Sequence, residues 1–152
     1  MKSFSEYKQF KEAILSEKNS STDNPDENVW KSWRELINMS YKELKDFYDS
    51  DQGKDAGMKQ KEADKEGIDS GRESARMLMK MIPIGGSFKT AQDKWTSDMW
   101  RWCRKQISFN SRMRGMRKRM VGNPFERNGE MTRWLKSLLI WGHDPRKPLR
   151  KV

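Results

Sequence analysis

The chain has 152 residues, of which 34 % are hydrophobic and 36 % are charged, so it has room for one modest folded core and no large apolar interior. Its seven Trp, six Phe and eleven Met exclude a fully disordered chain, because disordered chains are poor in aromatic residues. The formal charge of +10 is unevenly spread: residues 1–70 hold 12 Lys or Arg against 16 Asp or Glu, whereas residues 71–152 hold 20 against 6. This asymmetry indicates a directed cationic face, and a merely solvated charged surface is the alternative.

The first predicted element is a short amphipathic helix over residues 3–18, which opens with the capping-box pattern Ser3-x-x-Glu6. Residues 19–28 are polar and contain Pro25, as is typical of a linker. Residues 1–27 are therefore expected to form an arm that docks elsewhere, on this chain or on another subunit.

Two short helices that meet at a corner are predicted next. Residues 28–39 place five apolar side chains on one helical face, and Ser40-x-x-Glu43 opens a second helix with another capping box. The corner at 38–40 is typical of a helix-turn-helix unit, although many helical domains that bind no DNA contain the same corner.

Residues 49–68 alternate Asp, Lys and Gly with almost no apolar side chain, which predicts an exposed loop. Three of its aspartates superficially match a calcium-binding loop. The twelfth position, which such a loop fills with Glu, is Gln60, so a metal is not expected here.

A helix over residues 69–82 follows, with apolar side chains on one face and basic side chains on another. Pro83 and the Gly85-Gly86 pair end it. This turn lacks the Gly-Lys-Ser/Thr ending and the preceding strand of a phosphate-binding loop, so a plain interhelical turn is expected.

The longest predicted helix runs from about Thr90 to Phe109. Asn110-Ser111 and Gly115 predict that it breaks before or within the arginine-rich run that follows. Its apolar stripe at helical spacing comprises Trp95, Met99, Trp102, Cys103 and Ile107.

Turns and one more helix complete the chain. Asn128-Gly129 predicts a hairpin corner, and residues 131–141 predict a last helix. The tail, residues 142–152, holds two prolines and four basic residues and predicts an extended arm. The sequence thus predicts an all-α fold: about five or six short helices in a core domain over 28–141, with extended N- and C-terminal arms.

The residues most indicative of function are cationic. Positions 101–120 hold eight Lys or Arg and no Asp or Glu. Such side chains neutralise phosphates and release counterions, and arginine also offers a planar fork to phosphate oxygens. No feature specifies a base, so binding directed at the backbone and tolerant of sequence is expected. The candidate nucleic-acid-binding residues are Arg101, Arg104, Lys105, Arg112, Arg114, Arg117, Lys118 and Arg119.

One part of this cluster has an alternative reading. Arg101, Arg104 and Lys105 share a helical face by their spacing of three and four residues. That face is only partly turned from the apolar stripe, so one of these arginines could instead cover the core.

Three other sites have a functional and a structural reading. Trp100 could stack on a base, but burial against the last helix is favoured. Cys103 beside basic residues is better explained as a small buried side chain than as a reactive thiol. His143-Asp144 lies in a turn and lacks a nucleophile or metal-ligand set, which favours turn hydrogen bonds over acid–base chemistry.

Two blocks of the sequence carry a family resemblance. Asn38-Met39-Ser40 with Glu43-Leu44, then Ser70-Gly71-Arg72 and the helix through Met99, resemble a small helical family of uncharacterised bacterial proteins that are often labelled DNA-binding. The block from Gln106-Ile107-Ser108-Phe109 to Trp141-Gly142-His143-Asp144-Pro145 is similar to the tails of uncharacterised tailed-phage proteins. Together the blocks cover roughly two thirds of the chain and include no catalytic motif. The resemblance implies a phage-encoded, DNA-associated protein.

The leading hypothesis is a non-enzymatic, sequence-tolerant nucleic-acid-binding protein, with DNA favoured over RNA and no catalytic residue, metal or cofactor. The alternative is a minor virion structural protein whose basic arms bind acidic capsid or portal surfaces. The opening residues lack a signal peptide and the longest apolar run, 138–141, is too short to span a bilayer, so no membrane is expected. The expected location is the host cytoplasm or the virion. The sequence is compatible with either a monomer or a homo-oligomer.

Overall fold

The computed structural model describes residues 23–56, 65 and 70–152. The predicted opening helix over 3–18 and most of the predicted loop over 49–68 lie outside the described residues. The described residues form a small, mostly helical bundle with a two-stranded hairpin, which confirms the predicted all-α class. Its α-helices are α1 (Glu27–Leu36), α2 (Tyr41–Asp49), α3 (Asp51–Lys54), α4 (Gly71–Met81), α5 (Phe88–Lys94), α6 (Ser97–Met116) and α7 (Arg133–Ile140).

Two single 3-10 turns and two short strands complete the secondary structure. The turns span Ile82–Ile84 and Arg117–Arg119. Strand β1 (Glu126–Arg127) pairs antiparallel with β2 (Glu130–Met131).

Each of the seven helices named above for the described ranges begins after a side chain that accepts a hydrogen bond from the backbone of its first turn. The predicted capping box is present, since Ser40 accepts from the Glu43 backbone and Glu43 accepts from the Ser40 backbone in return. These caps satisfy backbone N–H groups that have no partner within the helix. The seven capping residues are Asp26, Ser40, Ser50, Ser70, Ser87, Thr96 and Thr132.

Tryptophan dominates the core, and all seven Trp side chains are buried. Trp95 packs edge-on against Trp33 and against Trp100, with ring centroids 4.8 Å apart in both pairs. The Trp33 indole N–H donates to Gln106 Oε1 at 2.8 Å, and the Trp95 N–H donates to the Met81 carbonyl at 3.2 Å. These contacts join α1, α4 and α6 around one aromatic centre.

The longest helix differs from its prediction at both ends. The predicted helix is interrupted at Trp95, between α5 and α6. The second helix, α6, then continues to Met116 instead of ending near Phe109. The Thr96 side chain caps the new start, so Trp95 lies in the connection and not on the helical stripe. Asn110 does not end the helix because its buried side-chain amide donates to the Trp141 carbonyl at 3.2 Å.

The described start of the predicted loop over 49–68 is also helical. Ser50 caps α3, and Gly53 and Ala56 are buried rather than exposed. A Cβ at Gly53 would lie 1.8 Å from the Phe47 carbonyl oxygen, so this turn packs directly on the backbone of α2.

The predicted hairpin corner at Asn128-Gly129 is confirmed. Both residues have positive φ angles, 54° and 78°, as a type I′ turn requires. The hairpin leans on the start of α7, where the Phe125 ring stacks on Trp134 at 6.2 Å, and the Trp134 indole N–H donates to the Met113 carbonyl at 2.7 Å. The hairpin is thereby fixed beside the C-terminal end of α6.

Residues 142–152 contain no helix, as predicted, and they lie along the end of α1. Asn38 holds them through both side-chain atoms: its Oδ1 accepts from the Asp144 backbone at 2.7 Å, and its Nδ2 donates to the Asp144 and Pro148 carbonyls. Further along, the Arg150 backbone N–H donates to the Glu35 carbonyl at 3.1 Å. The segment is therefore anchored to the bundle.

None of the helices in the described ranges is both long and apolar enough to cross a membrane.

Two glycines provide a matched test of this packing. A Cβ at Gly71 would lie 2.6 Å from Ile140 Cγ2 and 3.2 Å from the Trp141 indole nitrogen, so Gly71→Ala should lower the free energy of unfolding by about 1–3 kcal/mol through overpacking. A Cβ at Gly115 meets nothing within 4 Å, so Gly115→Ala should instead raise it by up to about 1 kcal/mol. Urea unfolding followed by circular dichroism measures both. Equal effects of the two changes would contradict the α4–α7 contact.

Candidate polyanion-binding surface

The eight candidate residues do not share one surface, because α6 divides them. Arg101, in the first half of the helix, is about half exposed and bonds the carboxylate of Asp23 at 2.9 Å and that of Asp98 at 3.4 Å. Two carboxylates thus oppose its charge. Arg101 is a poor candidate for phosphate binding in this arrangement.

Arg104 is buried, with 2 % of its surface exposed, so it cannot belong to the predicted cationic face. Its guanidinium donates to the Asn24 carbonyl at 2.9 Å and to the Trp100 carbonyl at 3.5 Å. The described part of the predicted linker therefore lies against α6. Arg104 is the arginine that covers the core, the alternative that the helical spacing left open.

Lys105 is partly buried, and its ammonium lies 4.7 Å from the centre of the Trp102 ring. This cation–π contact holds the side chain against the aromatic core. The first half of α6 thus uses its cations mainly for internal contacts.

The second group of cations lies at the C-terminal end of α6 and in the 3-10 turn that follows. Arg114 is partly buried, and the other four side chains are exposed. Among the described residues, no carboxylate forms an ion pair with any of those four. We call this group the distal cluster: Arg112, Arg114, Arg117, Lys118 and Arg119.

Aromatic packing orients one member of the distal cluster. The Arg117 guanidinium lies 5.2 Å from the centre of the Phe125 ring, which itself stacks on Trp134. The ring contact limits the freedom of this guanidinium and leaves it at the surface. The distal cluster is therefore attached to the hairpin as well as to α6.

The hairpin and the start of α7 each add one cation that sequence analysis did not include. Arg127 donates to the Val121 carbonyl at 3.2 Å, immediately after the distal cluster, and Arg133 is exposed at the start of α7. Residues 112–133 contain seven Lys or Arg and two Glu. The available signal was the Asn128-Gly129 corner, because a hairpin there returns the chain that follows it and so brings Arg133 back beside the first strand, which carries Arg127.

A shallow depression of about 450 Å³ lies beside the distal cluster. Met120, Met131 and Trp134 provide its apolar lining. Its remaining lining is polar or charged and comprises Arg127, Asn128, Glu130, Thr132 and Arg133.

The structure assigns Trp100 and Cys103 to the core. Trp100 is 1 % exposed, which confirms its predicted burial, and its ring packs edge-on against Trp95 and Phe88. These aromatic partners lie on α5 and in the connection that follows it, where the sequence analysis expected the last helix. Cys103 is buried, as predicted.

Asp144 makes the predicted turn hydrogen bonds, whereas His143 bonds the end of α1 instead. His143 Nδ1 lies 2.6 Å from the Leu36 carbonyl oxygen, which indicates that this nitrogen carries the proton. Asp144 accepts hydrogen bonds from the backbone and the guanidinium of Arg146. Both residues anchor the C-terminal segment.

Among the described residues, no group of three or more His, Cys, Asp or Glu side chains is placed to hold a metal ion.

In the described residues, the fold is a small helical bundle that carries a cationic surface at the C-terminal end of α6. The chain matches, over residues 32–139, a family described as proteins of unknown function, DUF3140, and it belongs to that family. The match includes the distal cluster and the hairpin and ends before His143. No curated protein and no solved structure matches the chain.

Two arginines from opposite ends of α6 should respond differently to truncation. Arg104→Ala removes a buried side chain with its hydrogen bonds and should lower the free energy of unfolding by about 2 kcal/mol or more. Arg119→Ala removes an exposed side chain and should change it by no more than about 0.5 kcal/mol. Chemical denaturation provides both values. A stable Arg104→Ala protein would mean that the guanidinium is not part of the core.

The anchor of the C-terminal segment should be acid-sensitive. Burial raises the pKa of Asp144, but the Arg146 hydrogen bonds outweigh it and hold the pKa below its usual range. The hydrogen bond from Lys147, followed by that from the Ser40 backbone, lowers the pKa of Glu43. Because both pKa values are depressed on folding, their stabilisation is present above about pH 4 and is lost as the pH falls through the folded-state values.

This loss is measured as the fall in melting temperature between about pH 6 and about pH 3. Asp144→Asn cannot titrate and should reduce the size of that fall. An unchanged pH dependence in this variant would show that Asp144 does not contribute.

Proposed function

We propose that this protein binds the phosphate backbone of nucleic acid through the distal cluster together with Arg127 and Arg133, without reading base sequence. The observation that carries the proposal is the exposure of Arg112, Arg117, Lys118 and Arg119 with no ion pair to a described carboxylate. Each such cation that meets a phosphate releases condensed counterions, which supplies most of the free energy of sequence-tolerant binding.

The backbone conformation at the distal cluster favours contact with several phosphates. Arg117–Arg119 form a 3-10 turn with about three residues per turn, so their three side chains leave the axis in three directions. The cations therefore spread over a surface instead of meeting at one point. An extended polyanion matches that distribution better than a single small anion.

The distal cluster also lies on a helix whose backbone is held in place by side-chain hydrogen bonds. The Trp33–Gln106 hydrogen bond fixes the middle of α6, and the Trp134–Met113 hydrogen bond fixes its distal end. Side chains carried by a fixed helix lose less conformational entropy on binding than those on a mobile arm.

The helix-turn-helix corner does not supply a better DNA reader. Its second helix, α2, carries two lysines and three acidic residues. Both lysines form exposed ion pairs on the helix itself, Lys42 with Asp46 and Lys45 with Asp49. A recognition helix that enters the major groove would repel phosphates with these carboxylates, so contact through the distal cluster is preferred.

The virion alternative depends on free basic arms, but two of the four basic residues of the C-terminal segment are held in ion pairs. Arg146 pairs with Asp144, and Lys147 pairs with Glu43 on α2. The preference for DNA over RNA and the phage origin stay predictions, supported by the resemblance of the sequence.

Binding of labelled single-stranded and duplex oligonucleotides, followed by fluorescence anisotropy, tests the proposal. Affinity should fall roughly a hundredfold or more between about 50 mM and about 200 mM salt. The variant in which Arg112, Arg117, Lys118 and Arg119 are replaced by Gln should bind weakly. For duplex DNA, the slope of its log affinity against log salt concentration should be smaller in magnitude by about three to four.

A charge-matched variant tests whether binding depends on the distal cluster or only on the net charge of the protein. Replacing Lys42, Lys45, Lys89 and Lys94 by Gln removes the same number of positive charges from exposed sites on α2 and α5. This variant should retain most of the affinity and the salt dependence. Equal loss in the two variants would show that net charge, and not the distal cluster, causes the binding.

A further inference from the structure

The depression beside the distal cluster has a chemistry unlike that of the surrounding cationic surface. Met120 directly follows Arg119, the last residue of the distal cluster, and forms one apolar wall. Met131 and Trp134 complete the apolar lining. A ligand whose charged part lies on the distal cluster would therefore place its next group over thioether and indole surface.

The apolar walls favour a flat aromatic group. Methionine sulfur is polarisable and makes favourable contacts with aromatic rings, and unbranched Met side chains adapt to the shape of a ligand. The volume of about 450 Å³ lies within the range of about 300–1,000 Å³ for small-ligand sites. One planar heterocycle fits this combination better than a flexible apolar chain, because the remaining lining is polar or charged.

The charged lining distinguishes a base from a phosphate. Arg127 and Arg133 each have several N–H donors and can bond both a phosphate and the base next to it, whereas Glu130 places a carboxylate in the same depression. That carboxylate repels a phosphate but accepts hydrogen bonds from the amino groups on base edges. Donors and an acceptor together match the mixed edge of a nucleobase.

We infer that this depression receives an unpaired base of a single-stranded nucleic acid whose phosphates bind the distal cluster. The inference rests on the proposed function, and it adds a preference for single strands. In a duplex the base edges are paired and stacked, so a base can enter a protein pocket only after it leaves the helix. The lining contains no feature that selects one base.

Oligonucleotides that differ only in their bases test the inference. A single-stranded oligo(dC) and an abasic strand of the same length carry the same phosphates, so the distal cluster should bind both. The full-length protein should bind oligo(dC) at least about fivefold more tightly than the abasic strand. Fluorescence anisotropy competition at one salt concentration gives both affinities.

The outcomes separate the two proposals. Equal affinity for the two strands would overturn the base site and leave the phosphate-binding function standing. Failure to bind either strand would overturn both. The inference would also be overturned if the oligo(dC)·oligo(dG) duplex showed the same advantage over the abasic strand as single-stranded oligo(dC), because a paired base cannot occupy the depression.

A pocket variant assigns the preference to this location. Met120→Ala with Met131→Ala removes two apolar walls without changing charge. It should bind the abasic strand as the wild-type protein does and lose the preference for oligo(dC). If the variant is folded by circular dichroism and keeps the full preference for oligo(dC), the base contact lies elsewhere. If the variant does not fold, the comparison of the two strands with the wild-type protein still decides the inference.

Discussion

The contact of Trp95 with both Trp33 and Trp100 is the interaction on which the rest of this structure depends. Each pair adds roughly 0.5–1.5 kcal/mol beyond the burial of its rings. Because Trp95 lies in the connection between α5 and α6, these edge-on contacts set the direction in which α6 leaves the core. The chain is lean in hydrophobic residues, and large aromatic side chains let it build a core from few of them.

A fixed α6 has different uses at its two ends. Near the core its cations face inward or are opposed by acids, as Arg104 and Arg101 illustrate. Beyond the core the hairpin and α7 hold the distal end through Trp134, and four of the five cations of the distal cluster are exposed there. The charge of one helix thus serves stability at one end and, in our proposal, recognition at the other.

Local signals explain which parts of the fold could be predicted. The Ser40–Glu43 capping box and the Asn128-Gly129 corner depend on residues a few positions apart, so the sequence alone reveals them. Arg104 could not be assigned from spacing, because its burial depends on Asn24, which lies 80 positions away in the chain. The inclusion of Arg127 in the candidate surface likewise depends on how the hairpin packs.

A heteronuclear NMR titration of the full-length protein with a single-stranded oligonucleotide tests the central claim most directly. The account predicts changes in the backbone signals of residues 112–133 and in the indole N–H signal of Trp134, while the indole signals of Trp33 and Trp95 stay in place. Changes centred on α2 or α5, with residues 112–133 unaffected, would contradict it.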